Sequence, residues 1–595
     1  MAPCRGILVA MARVWFTVPI AFALVVCGAE GTPSGGAARP NILLILADDL
    51  GWSDLGCYGG EIRTPNIDAL AAGGLRLAQF YNSARCCPSR ASLLTGLYPH
   101  QAGVGLMTGD RGEGFPGYRG RLNDRCVTLA EVLKSAGYGT AMSGKWHVGD
   151  EVSPIARGFD DFFGFTRGYG VDSFDARMMV RLPEGRPRRD YAEGKFFATD
   201  AITDHALDFL RDMRGRGGPW FLYVAYQVPH FPLQALSGDA AGYAKIYAEG
   251  WDHVREQRLA RQRALGLMAD DAALTPRSRI PLPAAARRMG SVTSDNRNPP
   301  WATLDGDRRA DLAQRMATFA GMVTGMDRNI GRVIEDLRSH GEFERTLVLF
   351  VSDNGACAEW EPFGFDLDRP APPAAPGSGI NMGTQAAANI LHRGATLAEV
   401  GGPSSFISYG SAWANASNTP FRLYKHYCHE GGTRTPFIAH WPAGIEERGA
   451  LRFEPGHLID IMPTLADVAG AEYPKAVAGH AILPMEGVSL LPVFEGKPSG
   501  RKGPLFFEHE RSRAVRDGRW KAVLAGPDGG WELYDMDSDP LEMRDLAAQM
   551  PERVAAMSAQ WQAWAERANV LPMVGGKQAK HVRPAARDST TGQTR

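Results

Sequence analysis

A chain of 595 residues with 44% apolar and 22% charged residues can bury a sizeable core, which excludes a disordered or fibrous protein. This length predicts two or three domains, or one large α/β domain with an appendage. The net charge of −1 provides no overall attraction to nucleic acid or to an anionic membrane, so any anion recognition must be local.

The first 29 residues have the layout of a signal peptide. Two arginines precede an apolar run at 14–26, which is too short for a stable membrane span, and small residues follow it. We therefore predict a signal peptide at 1–29, a linker at 30–38, and export to the periplasm or beyond the cell. Cys27 ends a weakly lipobox-like sequence, so a lipid anchor at Cys27 remains open, although simple cleavage is favoured.

Four short apolar runs indicate strands buried on both faces of a parallel sheet, and helical patterns alternate with them. This alternation predicts a doubly wound α/β domain over 39–495, with long excursions at 235–312 and 356–412. The predicted strands are 41–47, 138–142, 220–226 and 346–351, and the predicted helices are 128–135, 202–213, 243–265 and 326–338.

After residue 495, short strands separated by turn signals predict a small antiparallel sheet, followed by an amphipathic helix. We predict a C-terminal subdomain at 496–570 and a polar tail at 571–595. The predicted strands are 505–508, 513–516, 520–524 and 531–534, and the helix is 550–568.

Polar residues come at the ends of the predicted strands of the large domain. Ligands in open α/β sheets bind outside the carboxyl ends of the strands, so we expect these residues to line one site. They are Asp48, Asp49, Lys145, His147, His230, Asp353 and Asn354.

Six cysteines follow the predicted signal peptide, too few for a disulfide framework in so long an exported chain. Cys86 and Cys87 are adjacent, which disfavours a bridge between them. Because Pro88 and a helical pattern follow, Cys86 is predicted at a helix N-terminus, where the backbone favours negative charge. On these grounds alone Cys86 is either a buried structural thiol or a thiolate nucleophile.

The segment Cys86-Cys87-Pro88-Ser89-Arg90, continued by Leu93-Leu94-Thr95-Gly96, resembles the signature of the type I sulfatases. The resemblance implies an alkaline-phosphatase-like fold, with a mixed, mainly parallel sheet sandwiched by helices and a smaller antiparallel C-terminal sheet. It also implies an arylsulfatase-like sulfuric ester hydrolase. A formylglycine-generating maturation enzyme would convert Cys86 to Cα-formylglycine (3-oxoalanine), whose hydrate would act as the nucleophile.

The same resemblance implies one calcium ion bound by the Cys86 derivative and four oxygen-bearing residues, although either pair of them alone could be a turn or a cap. Arg90 would anchor the formylglycine and the metal site. Lys145 would contact the sulfate, and His147 would take a proton from the hydrate. His230 and Lys425 would hold the sulfate and assist protonation of the leaving group. The four metal residues are Asp48, Asp49, Asp353 and Asn354.

Four further histidines are expected to be core or solvated residues, although the last three could line the substrate pocket: His100, His426, His429 and His509. Cys87 is expected to be structural. A two-metal phosphatase and a non-catalytic sulfated-glycan-binding protein are the alternatives. The resemblance leaves the natural substrate open between a sulfated polysaccharide and a small aryl or alkyl sulfate.

Overall fold

The computed structural model describes residues 39–168, 170–278, 297–358, 362–368, 378, 389–526 and 529–574. The predicted signal peptide and linker, and the tail from residue 575, lie outside these residues. Within the described ranges, no helix is both long and apolar enough to cross a membrane.

The chain forms a large central sheet, a two-stranded ribbon and a four-stranded C-terminal sheet, with helices between them. The strands are β1 (Asn41–Ala47), β2 (Leu75–Tyr81), β3 (Gly139–Lys145), β4 (Asp161–Phe165), β5 (Val180–Leu182), β6 (Trp220–Ala225), β7 (Thr346–Ser352), β8 (Arg434–His440), β9 (Ala450–Arg452), β10 (Gly456–His457), β11 (Ala476–Val477), β12 (His480–Ala481), β13 (Leu505–His509), β14 (Ser512–Asp517), β15 (Trp520–Leu524) and β16 (Glu532–Asp535). The helices are α1 (Pro65–Gly73), α2 (Cys86–Thr95), α3 (Leu129–Ser135), α4 (Ala198–Arg216), α5 (Ser237–Ala240), α6 (Tyr243–Tyr247), α7 (Gly250–Ala264), α8 (Gly306–Ser339), α9 (Ala395–Ala398), α10 (Gly410–Ser417), α11 (Glu430–Thr433), α12 (Ile461–Ala469), α13 (Leu491–Phe494) and α14 (Pro551–Arg567).

The central sheet has the strand order β10-β2-β8-β7-β1-β6-β3-β4-β5, and β9 also pairs with β2. The inner strands β7, β1, β6, β3 and β4 run parallel. In contrast, β8 is antiparallel to both β7 and β2, and β5 is antiparallel to β4. A mixed, mainly parallel sheet with a separate antiparallel C-terminal sheet confirms the predicted fold class.

Helices cover both faces of this sheet, as the side chains of β1 show. Leu43 and Ile45 belong to one apolar cluster, which includes residues of α4 and α8. Leu44 and Leu46 belong to another, which includes residues of α2, α3 and α12. Successive side chains of a strand point to opposite faces, so an unbroken apolar run is what this two-sided burial requires.

The predicted strands and helices are present, but most of their ends differ from the prediction by a few residues, and three differences are more important. β3 runs through Lys145, so Lys145 is the last strand residue and not the residue after the strand. The helix predicted at 326–338 is the end of α8, which begins much earlier because the Asp305 side chain accepts a hydrogen bond from the Arg308 N–H at 2.8 Å. The helix predicted at 243–265 is split into α6 and α7 around Gly250, whose φ is 85°.

The C-terminal sheet has the order β13-β14-β15-β16, and α14 packs on it through Trp561 and Trp564. Aromatic contacts join this subdomain to the edge of the central sheet, with Tyr81 and Phe507 ring centroids 5.7 Å apart. The Lys521 ammonium lies 2.8 Å from carboxylate oxygens of both Glu430 and Glu542, and all three side chains are fully buried. The subdomain boundary at residue 495 remains a prediction.

The Lys521→Met substitution should lower the free energy of unfolding by about 3–5 kcal/mol, because it leaves two buried carboxylates without their shared cation. Urea unfolding followed by circular dichroism would measure the change. Arg519→Met is the matched control, because Arg519 pairs with Asp535 from a half-exposed position and exposed pairs contribute little. If the two substitutions lower the free energy of unfolding equally, the stabilising role of the buried Lys521 ion pairs would be contradicted.

Candidate active site

The carboxyl ends of β1, β7, β3 and β6 and the amino end of β8 meet at one edge of the central sheet. The structure brings all the predicted site residues together there or at the start of α2, and all of them are buried. They are Asp48, Asp49, Cys86, Arg90, Lys145, His147, His230, Asp353, Asn354 and Lys425.

Cys86 is the first residue of α2, as the sequence predicts. The turn before it is held by the Ser89 hydroxyl, which accepts a hydrogen bond from the Ser83 N–H at 2.9 Å. Burial raises the pKa of the Cys86 thiol, but a hydrogen bond from Cys87, the neighbouring His147 ring and the positive charges of Lys145 and Lys425 bring the pKa well below its ordinary value. The site thus stabilises negative charge at position 86.

Arg90 links the ends of two strands to α2. Its Nε and Nη2 groups donate to Asp353 Oδ2 at 3.0 and 2.8 Å, and its Nη1 donates to the Lys145 carbonyl at 2.8 Å. Nη2 also lies 3.6 Å from Asp48 Oδ2. A fully buried guanidinium with three hydrogen bonds fixes the relative positions of the groups it holds.

Two lysines pair with the aspartates that follow β1. Lys145 Nζ donates to Asp48 Oδ2 at 2.5 Å, and Lys425 Nζ donates to Asp49 Oδ1 and Oδ2 at 2.6 and 2.9 Å. Burial raises the pKa of Asp48, but the positive charges of Lys145, His230 and Arg90 outweigh burial and hold this pKa below its usual range. Asp48 is therefore ionised at neutral pH.

The oxygen atoms at this edge form a donor set suited to a hard cation. Asp48 Oδ1 and Asn354 Oδ1 are buried and have no hydrogen-bond partner among the described residues. The Asp49 N–H donates to Asp353 Oδ1 at 3.2 Å, and Asn354 Nδ2 donates to Asp49 Oδ1 at 2.6 Å, so the four side chains are adjacent. Buried oxygens without protein partners are normally satisfied by a bound water or ion, and carboxylate and amide oxygens suit Ca²⁺ or Mg²⁺.

The pKa of Asp353 also agrees with a cation site among these oxygens. Burial and the neighbouring Asp48 carboxylate raise the pKa of Asp353 well above its usual range, even though Arg90 opposes this shift. A divalent cation among these oxygens would offset the crowding of the carboxylates.

His147 is positioned to accept a proton. Its backbone is left-handed, with a φ of 58°, and neither ring nitrogen has a hydrogen-bond partner in the described part of the chain. Burial, reinforced by the Lys145 charge, lowers the pKa of His147 to about 4, so the ring is neutral at pH 7. Ligand atoms of Cys86, Cys87 and His147 lie within 4.8 Å of one another.

His230 lies on the other side of Asp49. Its Nδ1 is 2.6 Å from the Phe231 carbonyl, which fits donation from Nδ1–H, and its Nε2 is 3.5 Å from Asp49 Oδ2. Beside these groups a small apolar cavity opens, lined by Phe231, Leu233 and Phe319 together with Asp49.

The other histidines have structural contacts. His100 is buried 2.8 Å from Glu508, which confirms the expectation of a core residue, and His429 lies 2.9 Å from Glu532. The Cys87 Sγ lies 3.7 Å from the Met107 Sδ, in agreement with a structural thiol, and none of the six described cysteines forms a disulfide.

The sequence named His426 and His509 only as possible pocket residues and did not indicate that they group with Arg85 and Glu510. His426 lies beside Arg85 and Glu510, and His509 is next to them. Arg85 directly precedes Cys86 and His426 directly follows Lys425, and these two adjacencies were the available signals. The other contacts join residues more than 80 positions apart and depend on how the C-terminal sheet packs.

Comparisons with known proteins agree with this site. The sulfatase family model matches residues 40–471, and the model of the N-sulphoglucosamine sulphohydrolase C-terminal region matches residues 421–564. An uncharacterised sulfatase of Schizosaccharomyces pombe is 33% identical over 88% of this chain and 93% of its own length. The arylsulfatase of Klebsiella aerogenes is 33% identical over 80% of this chain and 97% of its own length.

Among solved structures, Ps i-CgsB in complex with k-i-k-neocarrahexaose has a TM-score of 0.60 and 24% identity to this chain. The match covers 91% of this chain and 96% of that one, and it shows a shared fold.

Fold and matched regions together place the protein among the enzymes that hydrolyse esters of sulfuric acid. The chain belongs to the sulfatase family, as a type I sulfatase. The predicted family and enzyme class are thereby confirmed, in preference to the phosphatase and the non-catalytic glycan-binding alternatives.

Proposed function

We propose that this sulfatase cleaves small aryl or alkyl sulfate monoesters in an arylsulfatase-like manner, using a formylglycine made from Cys86 and one calcium ion. The position of Cys86 carries the proposal. It is fully buried at the N-terminus of α2, among positively charged groups and beside the unpaired oxygens of the metal-type donor set.

The surroundings of Cys86 fit a formylglycine. When hydrated, this aldehyde supplies a hydroxyl nucleophile for sulfur, which splits the hydrolysis into two easier steps. His147 would hold the modified side chain and accept a proton at an unpaired ring nitrogen, and Lys145 would contribute positive charge. A formylglycine-generating maturation enzyme is then a required partner.

The four oxygen-bearing residues Asp48, Asp49, Asp353 and Asn354 would hold the calcium, together with the modified Cys86. The ion would supply Lewis acidity next to the nucleophile. Arg90 would keep Asp353 in place through its two hydrogen bonds. Export to the periplasm or beyond the cell fits this metal, because calcium is plentiful outside the cytosol.

Lys425 and His230 would bind the sulfate and the leaving oxygen. They flank Asp49, with Lys425 Nζ at 2.6 Å and His230 Nε2 at 3.5 Å from its carboxylate. Phe231, Leu233 and Phe319 border a void of only about 10 Å³ beside them, which is too small for an aryl group, so the proposal of an aryl or alkyl sulfate rests on the resemblance to arylsulfatases. The name of the Klebsiella relative supports the same substrate class.

After co-expression with a formylglycine-generating enzyme, peptide mass spectra across residues 86–90 should show an aldehyde at Cys86 alone. Cys86→Ala should lower kcat/KM for 4-nitrophenyl sulfate by about 10³-fold or more, because it removes the nucleophile. Cys87→Ala is the matched control and should keep activity of the wild-type order. Full activity in Cys86→Ala would overturn the mechanism. An aldehyde without aryl sulfate turnover would instead favour a sulfated polysaccharide.

Calcium should stabilise the protein, because its ligands converge only in the folded chain. Restoring calcium to chelator-treated protein should raise the free energy of unfolding by about 2.7 kcal/mol when the free calcium concentration reaches about 100 times the Kd for calcium. Asn354→Ala should weaken this gain. Asn415→Ala removes a buried amide outside the site and should leave the gain unchanged. Thermal unfolding at several calcium concentrations would measure this gain in stability. If Asn354→Ala gained as much stability as the wild type, the assignment of Asn354 as a calcium ligand would be contradicted.

Substitution of the two histidines should affect different steps. His230→Ala should lower kcat/KM most for phenyl sulfates with poor leaving groups, because it removes help in protonating the leaving oxygen. His147→Ala should lower kcat by a similar factor, about 10²–10⁴, for every substrate, because it acts after the leaving group has departed. Rates for a series of substituted phenyl sulfates would distinguish the two. If plots of log kcat/KM against leaving-group pKa have the same slope for His230→Ala and the wild type, a role for His230 in protonating the leaving oxygen would be excluded.

A further inference from the structure

A second cluster of ligand-type side chains lies next to the active site and has no role in the mechanism above. His426 directly follows Lys425, whereas His509 and Glu510 belong to the tip of the hairpin formed by β13 and β14. One ligand atom of each of these three residues lies within 4.8 Å of the other two.

The hairpin tip has an unusual backbone for its sequence. His509 pairs with Ser512, so Glu510 and Arg511 form a two-residue turn, and their φ angles are 48° and 72°. Such turns normally use Asn and Gly, since other residues are strained there. This turn points Glu510 at His426, with 3.0 Å between its Oε2 and the His426 Nδ1.

Both ring nitrogens of His426 face polar groups. Nδ1 lies 3.0 Å from Glu510 Oε2, and Arg85 Nη1 lies against both nitrogens and is nearer to Nε2. Nδ1–H can therefore donate to Glu510 while Nε2 accepts from Arg85, so the unsatisfied member of the cluster is His509. His509 is fully buried, and neither of its ring nitrogens has a partner among the described residues. Buried polar atoms without a protein partner are normally satisfied by a bound water or ion.

The protonation states suit a metal. Burial, together with the Arg85 charge, lowers the pKa of His426 to about 4, and burial lowers that of His509 to about 3. Burial raises the pKa of Glu510, but the interaction with His426 brings it below its usual range. Two neutral imidazoles and an ionised carboxylate are thus available, as coordination requires.

We propose that His426, His509 and Glu510 form a site for a divalent transition-metal ion, best matched by Zn²⁺ and separate from the calcium site. Two imidazole nitrogens and one carboxylate oxygen are a ligand set that zinc takes, with a fourth position left open. The all-oxygen set around Asp48 suits calcium instead. Zinc here ties the tip of the C-terminal hairpin to the segment that carries Lys425.

Arg85 opposes this binding and provides an internal test. Its guanidinium lies against His426, and its side chain is only partly buried, so it can turn away when the ion binds. Like charges repel at this distance. Removing the Arg85 charge should therefore raise zinc affinity, whereas removing a ligand should lower it.

The test is equilibrium dialysis against Zn²⁺ in a calcium-saturated buffer, followed by atomic absorption. The Cys86→Ala protein is used throughout, because Cys86, Cys87 and His147 form a competing set of zinc ligands. We expect one zinc per chain and a higher melting temperature with zinc. Adding His509→Gln or Glu510→Gln should weaken binding by at least about 100-fold, since even outer-shell changes weaken metal binding 10–100-fold. Adding Arg85→Gln should strengthen it.

His340→Gln is the control, because His340 is half-exposed at the end of α8 and far from the cluster in sequence, and it should leave zinc binding unchanged. If His509→Gln fails to fold by circular dichroism, Glu510→Gln and Arg85→Gln still decide the question. No zinc retained by the Cys86→Ala protein, or retention that neither Glu510→Gln nor Arg85→Gln alters, would overturn the proposal. This measurement is independent of sulfate hydrolysis.

Discussion

Three buried carboxylates at the ends of two adjacent strands are the constraint on which the rest of this structure depends. Removing such charges from water is strongly unfavourable unless cations and hydrogen bonds compensate them. Here the compensation comes from Arg90 on α2, Lys145 on β3 and Lys425 before β8. Because each cation belongs to a different element, the ion pairs that build the site also hold α2 and the strand ends in their relative positions.

The same arrangement explains why the site is preorganised. Arg90 binds Asp353 and the Lys145 carbonyl at once, so one guanidinium holds both a proposed calcium ligand and the lysine proposed to contact the sulfate. Fixed charges in a buried site act more strongly than mobile charges in water and need little rearrangement during the reaction. A shift of α2 would therefore disturb Cys86, the proposed nucleophile, together with Asp353, a proposed metal ligand.

Much of this was predictable because the signals were local. The apolar run of β1 indicated a central strand, and Asp48 and Asp49 followed directly from where that strand had to end. The helix N-terminus at Cys86 was indicated by Pro88 and the pattern after it. The sulfatase motif added the roles, which no periodicity could supply.

What the sequence did not show depends on long-range packing or on single side chains. β8 was not predicted as a strand, because its antiparallel pairing with β7 is visible only in the sheet. The start of α8 depends on one cap at Asp305 within a segment of mixed composition. The grouping of His426 with His509 and Glu510 requires the C-terminal sheet to be docked.

The reversed direction of β8 also bears on how this protein could diverge. β7 ends and β8 begins at the same edge of the sheet, so residues 353–433 leave and return beside the reactive centre. Connections between strands can often lengthen or be exchanged at little thermodynamic expense, provided that their ends stay in place. Natural selection could thus alter substrate scope through the middle of this insertion, while Asp353, Asn354 and Lys425 near its two ends keep the chemistry constant.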